Sequence, residues 1–311
     1  MEYEYHTLDV FTDRPFAGNP LAVFPEARGL TDEEMQAIAQ ELNLSETVFV
    51  FPPATPEGTR SVRIFTPGRE VPFAGHPTVG TAFHLASAGA VELREGDATL
   101  VLEEVVGPVP VRVTMRDGRP VSAELTAAGA PREVPLAWEA DVTASLVSLP
   151  GEAVGMDGGA LGVRGRLEPA FASVGLPFLI LPLRDLASAE AAVLDNTAWA
   201  RLLPEGSESR MVYLVAPGGR GEGVDIHVRM FAPDAGVPED PATGSAAAAL
   251  GAYLGYRSPE GEWAWSIEQG LEMGRPSRLE LSISVQGGCA SSVRVGGPSV
   301  PMSSGVLTVR R

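Results

Sequence analysis

The chain has 311 residues and a formal charge of −17, from 23 basic and 40 acidic side chains, and all the basic ones are arginine. With no lysine and one cysteine, Cys289, it cannot use a lysine imine, a phosphate-loop lysine, an intrachain disulfide, a cysteine-rich zinc cage or a pair of catalytic thiols. The negative balance also repels phosphate backbones and anionic lipid, so neither nucleic acid nor a membrane surface is an expected partner.

No apolar run reaches the roughly 18 residues of a membrane span, and the acidic start Met1–His6 lacks the apolar core of a signal peptide. A soluble cytoplasmic protein of about two domains is expected. In chain order, Thr31 to Leu42 reads as a helix. Thr31 and Glu34 form a capping box, and Met35, Ile38, Ala39 and Leu42 make one apolar face. Strands are expected at about 47–51 and 61–66, then a helix apolar almost all round from Thr78 to Ala88, then strands at 99–105 and 111–115. An Ala/Gly/Pro-rich boundary falls near 126–135. Beyond it come a helix from Asn196 to Leu203, strands at 211–216 and 224–231, a second all-apolar helix from Ala242 to Leu254, and a strand at 278–285.

The second half repeats the first. Ser45–Val50 lies over Ser209–Leu214 (209 − 45 = 164). Val62–Pro67 lies over Val228–Pro233 (228 − 62 = 166). His76-Pro77-x-x-Gly80 lies over Asp240-Pro241-x-x-Gly244 (240 − 76 = 164), and Gly18–Val23 over Gly175–Ile180 (175 − 18 = 157). The expected fold is α+β, with two pseudo-repeated domains, each a curved, mostly antiparallel sheet wrapped around its apolar helix. The domains are 1–125, with 298–311 returning to it, and 126–297.

The chemistry is expected at the two helix starts. Pro77 and Pro241 suit the first helical position, which makes His76 and Asp240 the N-caps. Free N–H groups and the positive dipole end would then suit an anionic substrate. Asp240 alone could be an ordinary cap, and Ser245 could bond within its own helix. A histidine and an aspartate at repeated positions also read as a split acid/base pair. Glu46 is either a solvated carboxylate at a helix exit or a proton shuttle with a raised pKa. Its repeat partner, Arg210, would bind a substrate carboxylate or form an ion pair. No dinucleotide fingerprint and no metal-ligand spacing is present, since His76 and His84 are eight apart and His6 and His227 sit in strands.

The segments Asp9–Thr12 with Pro15–Pro20, Asn43–Glu46, Pro72–Gly80, Met230–Pro233, Glu239–Ala246 and Glu268–Gly270 with Gly274–Ser277 resemble the PhzF-like family of phenazine-biosynthesis isomerases. The resemblance spans the chain. It implies a diaminopimelate-epimerase-like fold with the active site between two domains, and a proton shift on a small carboxylate-bearing metabolite without a cofactor. It further implies Glu46 as the proton shuttle, with His76, Asp240 and Ser245 assisting. Asn19, Ser45, Gly75 and Gly244 would contact substrate, and the assembly would be a homodimer. Related epimerases use two cysteines, which this chain lacks. The rival readings are a non-catalytic metabolite-binding protein that keeps the fold, and a hydrolase.

Overall fold

The computed structural model of the chain describes residues 1–90 and 96–310. It divides into two compact units, Met1–Thr126 with Gly296–Arg311, and Ala127–Val295.

The first unit contains β1 (Glu2–Val10), β2 (Asn19–Phe24), α1 (Asp32–Leu42), β3 (Glu46–Phe51), β4 (Arg60–Phe65), β5 (Glu70–Val71), α2 (Gly75–Ser87), β6 (Gly96–Glu104), β7 (Gly107–Arg116) and β8 (Arg119–Thr126). The late strand Ser299–Thr308 also belongs to it and pairs antiparallel with β1. Most neighbours are antiparallel, but β2 runs parallel to β3 and β4 to β6. A parallel pair needs a crossover; α1 supplies the first and α2 the second.

Helix α1 forms because its start is closed locally. The Thr31 hydroxyl accepts from the Glu34 N–H, and the Glu34 carboxylate accepts from the Thr31 N–H. Asn43 ends the helix in the left-handed region at φ 50°, its N–H donating to the Ala39 carbonyl. Met35 and Ile38 pack with Phe24, Phe49 and Phe65, and burying each is worth roughly 1.5–3 kcal/mol. Helix α2 has no solvent face until its last residue, with Gly75 to Ala86 all buried. It packs on β1, β2, β7 and β8. Gly80 is required there, because a Cβ at that position would come within 2.6 Å of both Leu21 and Val10.

The second unit repeats this plan. It contains β9 (Arg132–Pro135), α3 (Ala140–Ala144), β10 (Met156–Asp157), β11 (Arg166–Leu167), β12 (Ala170–Ser173), β13 (Pro177–Pro182), α4 (Leu186–Ala191), α5 (Asn196–Leu202), β14 (Val212–Pro217), β15 (Ile226–Ala232), β16 (Val237–Asp240), α6 (Gly244–Gly255), β17 (Gly261–Gln269) and β18 (Ser277–Gln286). β19 (Cys289–Gly297) follows, and the strand Ser299–Thr308 is β20. The parallel pairs recur, β13 with β14 and β15 with β17. The α4/α5 segment and α6 take the places of α1 and α2 as crossovers. Every residue of α6 except Ser245 is buried, and the helix packs on β9, β12, β13 and β18. The expected α+β architecture, a sheet around one apolar helix in each of two repeats, is what forms. Among the described residues no helix is long and apolar enough to cross a membrane.

Candidate active site

The helix starts differ from the expectation that His76 and Asp240 are N-caps. α2 begins at Gly75 with Ala74 as its N-cap, so His76 is the second helical residue and Pro77 the third. Proline fits there because the first-turn N–H groups have no helical partner. α6 begins only at Gly244 with Thr243 as its N-cap. Asp240 instead completes β16, paired with Met230 of β15. That ladder keeps its backbone extended and delays the helix.

In the first unit, three of the proposed residues meet. Glu46 is the first residue of β3, placed there by the left-handed turn at Asn43. Its Oε2 lies 3.3 Å from His76 Nε2, with the glutamate side chain 19% exposed and the histidine 5%. Asn19, wholly buried at the start of β2, brings its Nδ2 to 3.3 Å from His76 Nδ1. Burial pushes the imidazole down to about 3, outweighing the Pro20 carbonyl that favours a ring proton. His76 is therefore a neutral ring held between an amide and a carboxylate. Gly75 is buried beside it, and Ser45, half-buried, directly precedes Glu46.

In the second unit, the Asp240 carboxylate accepts the Thr243 hydroxyl at 2.5 Å. Gln269, fully buried at the end of β17, organises the segment. Its Nε2 donates to the Asp240 carbonyl at 2.8 Å and to Thr243 Oγ1 at 2.9 Å, and its Oε1 accepts the Thr243 N–H at 3.1 Å. The Ser277 hydroxyl lies 2.8 Å from the Pro241 carbonyl. Gly270, at φ +77°, leaves room for that carbonyl, which a Cβ would approach to 2.6 Å. Gly244 and Ser245 open α6, and Ser245 is its one residue that is not buried.

Arg210 lies two residues before β14, and its guanidinium is engaged within its own unit. It stacks 4.1 Å from the Trp199 ring centroid, donates to the Leu203 carbonyl at 2.9 Å and lies 3.4 Å from Asp234. Its repeat relation to Glu46 does not extend to a shared role, since Glu46 opens a strand and Arg210 anchors a helix end.

Sequence reasoning passed over Thr78, Glu104, Thr243 and Gln269. Glu104 is buried against α2, with Thr78 Oγ1 2.6 Å from its Oε1, and burial pushes its carboxyl up to about 8. Three of the four lie in family-like segments, Thr78 in Pro72–Gly80, Thr243 in Glu239–Ala246 and Gln269 in Glu268–Gly270, and Glu104 lies outside them all. His227 serves a local purpose: its Nδ1 lies 2.8 Å from Glu268, whose carboxylate also accepts the Arg220 and Gly221 N–H groups. Burial alone would lower its pKa, but Glu268 and Glu272 outweigh this and raise it to about 9. Cys289 is half-buried on β19 with its Sγ 3.9 Å from the Gln286 carbonyl.

The family model described as phenazine biosynthesis-like protein (PhzC-PhzF) matches residues 8–305. An uncharacterised isomerase of Mesorhizobium japonicum is 44% identical over 309 residues, covering 98% of each chain. The trans-2,3-dihydro-3-hydroxyanthranilate isomerase of Pseudomonas aeruginosa is 34% identical over 307 residues, covering 97% of this chain and 98% of its own. The crystal structure of a Bacillus anthracis phenazine biosynthesis protein of the PhzF family superposes with a TM-score of 0.85. It is 26% identical and covers 99% of this chain and 100% of its own. With a match that runs from β1 to β20, the chain belongs to the phenazine biosynthesis-like PhzC-PhzF family and is an isomerase.

Proposed function

We propose that the isomerisation is a proton shift on a small carboxylate-bearing metabolite, carried out by side chains without a cofactor. Glu46 takes the proton from one carbon and returns it at another on the same face. The observation that carries this reading is the contact between Glu46 and a buried, neutral His76 that Asn19 holds in place. A neutral imidazole holds the carboxylate without the positive charge of an imidazolium, which would lower its basicity. His76 and Asp240 hold or relay protons, while Ser245 and the N–H groups near Gly75 and Gly244 bind the substrate anion. Asn19 and Ser45 line its path. Arg210, already engaged by Trp199, Leu203 and Asp234, is the weakest of the proposed contacts. A homodimer, from the resemblance of the motifs, and a cytoplasmic location, from the acidic start and short apolar runs, complete the proposal.

The test is deuterium incorporation from heavy water, beginning with trans-2,3-dihydro-3-hydroxyanthranilate, the molecule in the name of the P. aeruginosa relative. Wild type is expected to incorporate label, and Glu46→Gln to be slower by about 10²–10⁴-fold, the usual contribution of a general acid/base. Equal rates in the two proteins would remove Glu46 from the role. Binding of these molecules with no exchange by wild type would favour the non-catalytic reading.

A further inference from the structure

Thr78 Oγ1 stands 2.7 Å from the Ala74 carbonyl and 2.6 Å from Glu104 Oε1. A hydroxyl has one hydrogen, so two contacts this short cannot both be donated by Thr78. The Ala74 carbonyl cannot donate, and the remaining donor is the Glu104 carboxyl in its protonated form. Burial points the same way. Glu104 is only 7% exposed, and among the described residues a charge there would face one hydrogen bond and no counter-ion.

The second unit also pairs a threonine hydroxyl with a strand-end side chain, there one that cannot ionise. β6 and β17 are both nine residues long and end on Glu104 and Gln269. The separations 269 − 104 and 243 − 78 are both 165, so the two threonines correspond as the strand ends do. There the amide nitrogen of Gln269 donates to Thr243 Oγ1, and Thr243 passes its own hydrogen to Asp240. A protonated carboxyl has the shape of that amide and one donor in the same place.

We propose that Glu104 works as a neutral carboxylic acid, a positioning residue whose O–H holds Thr78 and, through it, the Ala74 carbonyl, fixing the turn that carries Gly75 and His76. Its relevance to turnover rests on the role proposed for His76; its protonation state does not. Among the described residues, the groups around it leave the acid unopposed. Opposite it on β7 is Gly107. Glu103, on its own strand, turns to the Ala54 and Thr55 N–H groups. Arg63 on β4 lines the adjoining groove but is bound to Glu70 and Asp32. On α2, His76 is engaged by Glu46 and Asn19, and His84 lies against His6. Above about pH 8 the acid gives up its proton. Thr78 must then turn its hydrogen to the carboxylate, and the Ala74 carbonyl loses it.

Glu104→Gln copies the Gln269 arrangement and removes the titration. Three readouts test the idea. The infrared difference between wild type and Glu104→Gln at pH 6 should contain the carbonyl stretch of one buried protonated carboxyl. The backbone amide signals of Gly75, His76 and Thr78 should move with pH in wild type, with a midpoint near 8, and stay fixed in Glu104→Gln. Turnover should fall in wild type over that same range, with the fall absent in Glu104→Gln, while Glu104→Leu, which cannot donate, should be slowed at every pH. Absence of the carboxyl band, the same alkaline fall in Glu104→Gln, or a Glu104→Gln chain that fails to fold would each overturn the proposal. The infrared and amide readouts need no substrate, so a failed Glu46 assignment would leave them standing.

Discussion

Burial lowers the His76 imidazole to about 3, well below its ordinary value of 6.5. The ring therefore offers one N–H and one bare nitrogen throughout the physiological range, and its charge cannot switch the reaction on or off. The sign for stability follows: the unfolded chain binds the proton more readily, so this group's contribution is complete above pH 6.5 and is lost as pH falls toward 3. Nuclear magnetic resonance of the ring nitrogens should show no titration from about pH 5 to about pH 8. A midpoint near 6 would show that the ring is in contact with water and would undo the picture of Glu46 beside a neutral partner. How much of this the sequence reveals depends on distance along the chain. The Thr31 capping box, four residues long, is a short-range feature and can be read directly. That Asn19 and His76, 57 positions apart, share one hydrogen bond could not be read from the residues alone, because it depends on β2 lying against α2.

At the scale of elements, α2 and α6 are recognisable from their lack of a polar face, but their starts are not. A proline after a capping-type residue suggested one frame for both helices. The pairing of Asp240 with Met230 pushes α6 later, while the extended Ala74 lets α2 start earlier. What holds each start is a threonine and the last residue of a neighbouring strand, 26 positions away in both units. No local pattern announces such a pair. Gln269 is the clearest case. Gln269→Leu keeps its size but leaves the Thr243 N–H and the Asp240 carbonyl without their buried partner, a cost of about 1–3 kcal/mol for each group left unsatisfied. The expected result is a lower denaturation midpoint with turnover reduced further than stability alone accounts for. Full activity in a folded Gln269→Leu protein would mean that Asp240 is placed by Thr243 unaided.

At the scale of the whole molecule, a charge of −17 meets an anionic substrate in the proposed reaction. Long-range repulsion slows such an encounter, and salt relieves it within a Debye length of about 8 Å at physiological ionic strength. The value of kcat/KM should therefore rise as salt is added, the reverse of an enzyme that steers its substrate with positive charge. A fall with salt would show that the helix starts and nearby arginines dominate the field the substrate meets.

The pairing of β1 with β20 brings Thr7 and Ser303, 296 positions apart, to within 2.7 Å. During synthesis the first unit must therefore wait, with one edge of β1 unpaired, until the whole of the second unit has been made. The inserted unit, continuous from Ala127 to Val295, can finish folding while its host is still incomplete. An open strand edge invites pairing with other chains. Removing β20 should thus leave the second unit folded and turn the first into a source of aggregation. Ribosome-bound chains halted before residue 299 should show the same asymmetry to a protease.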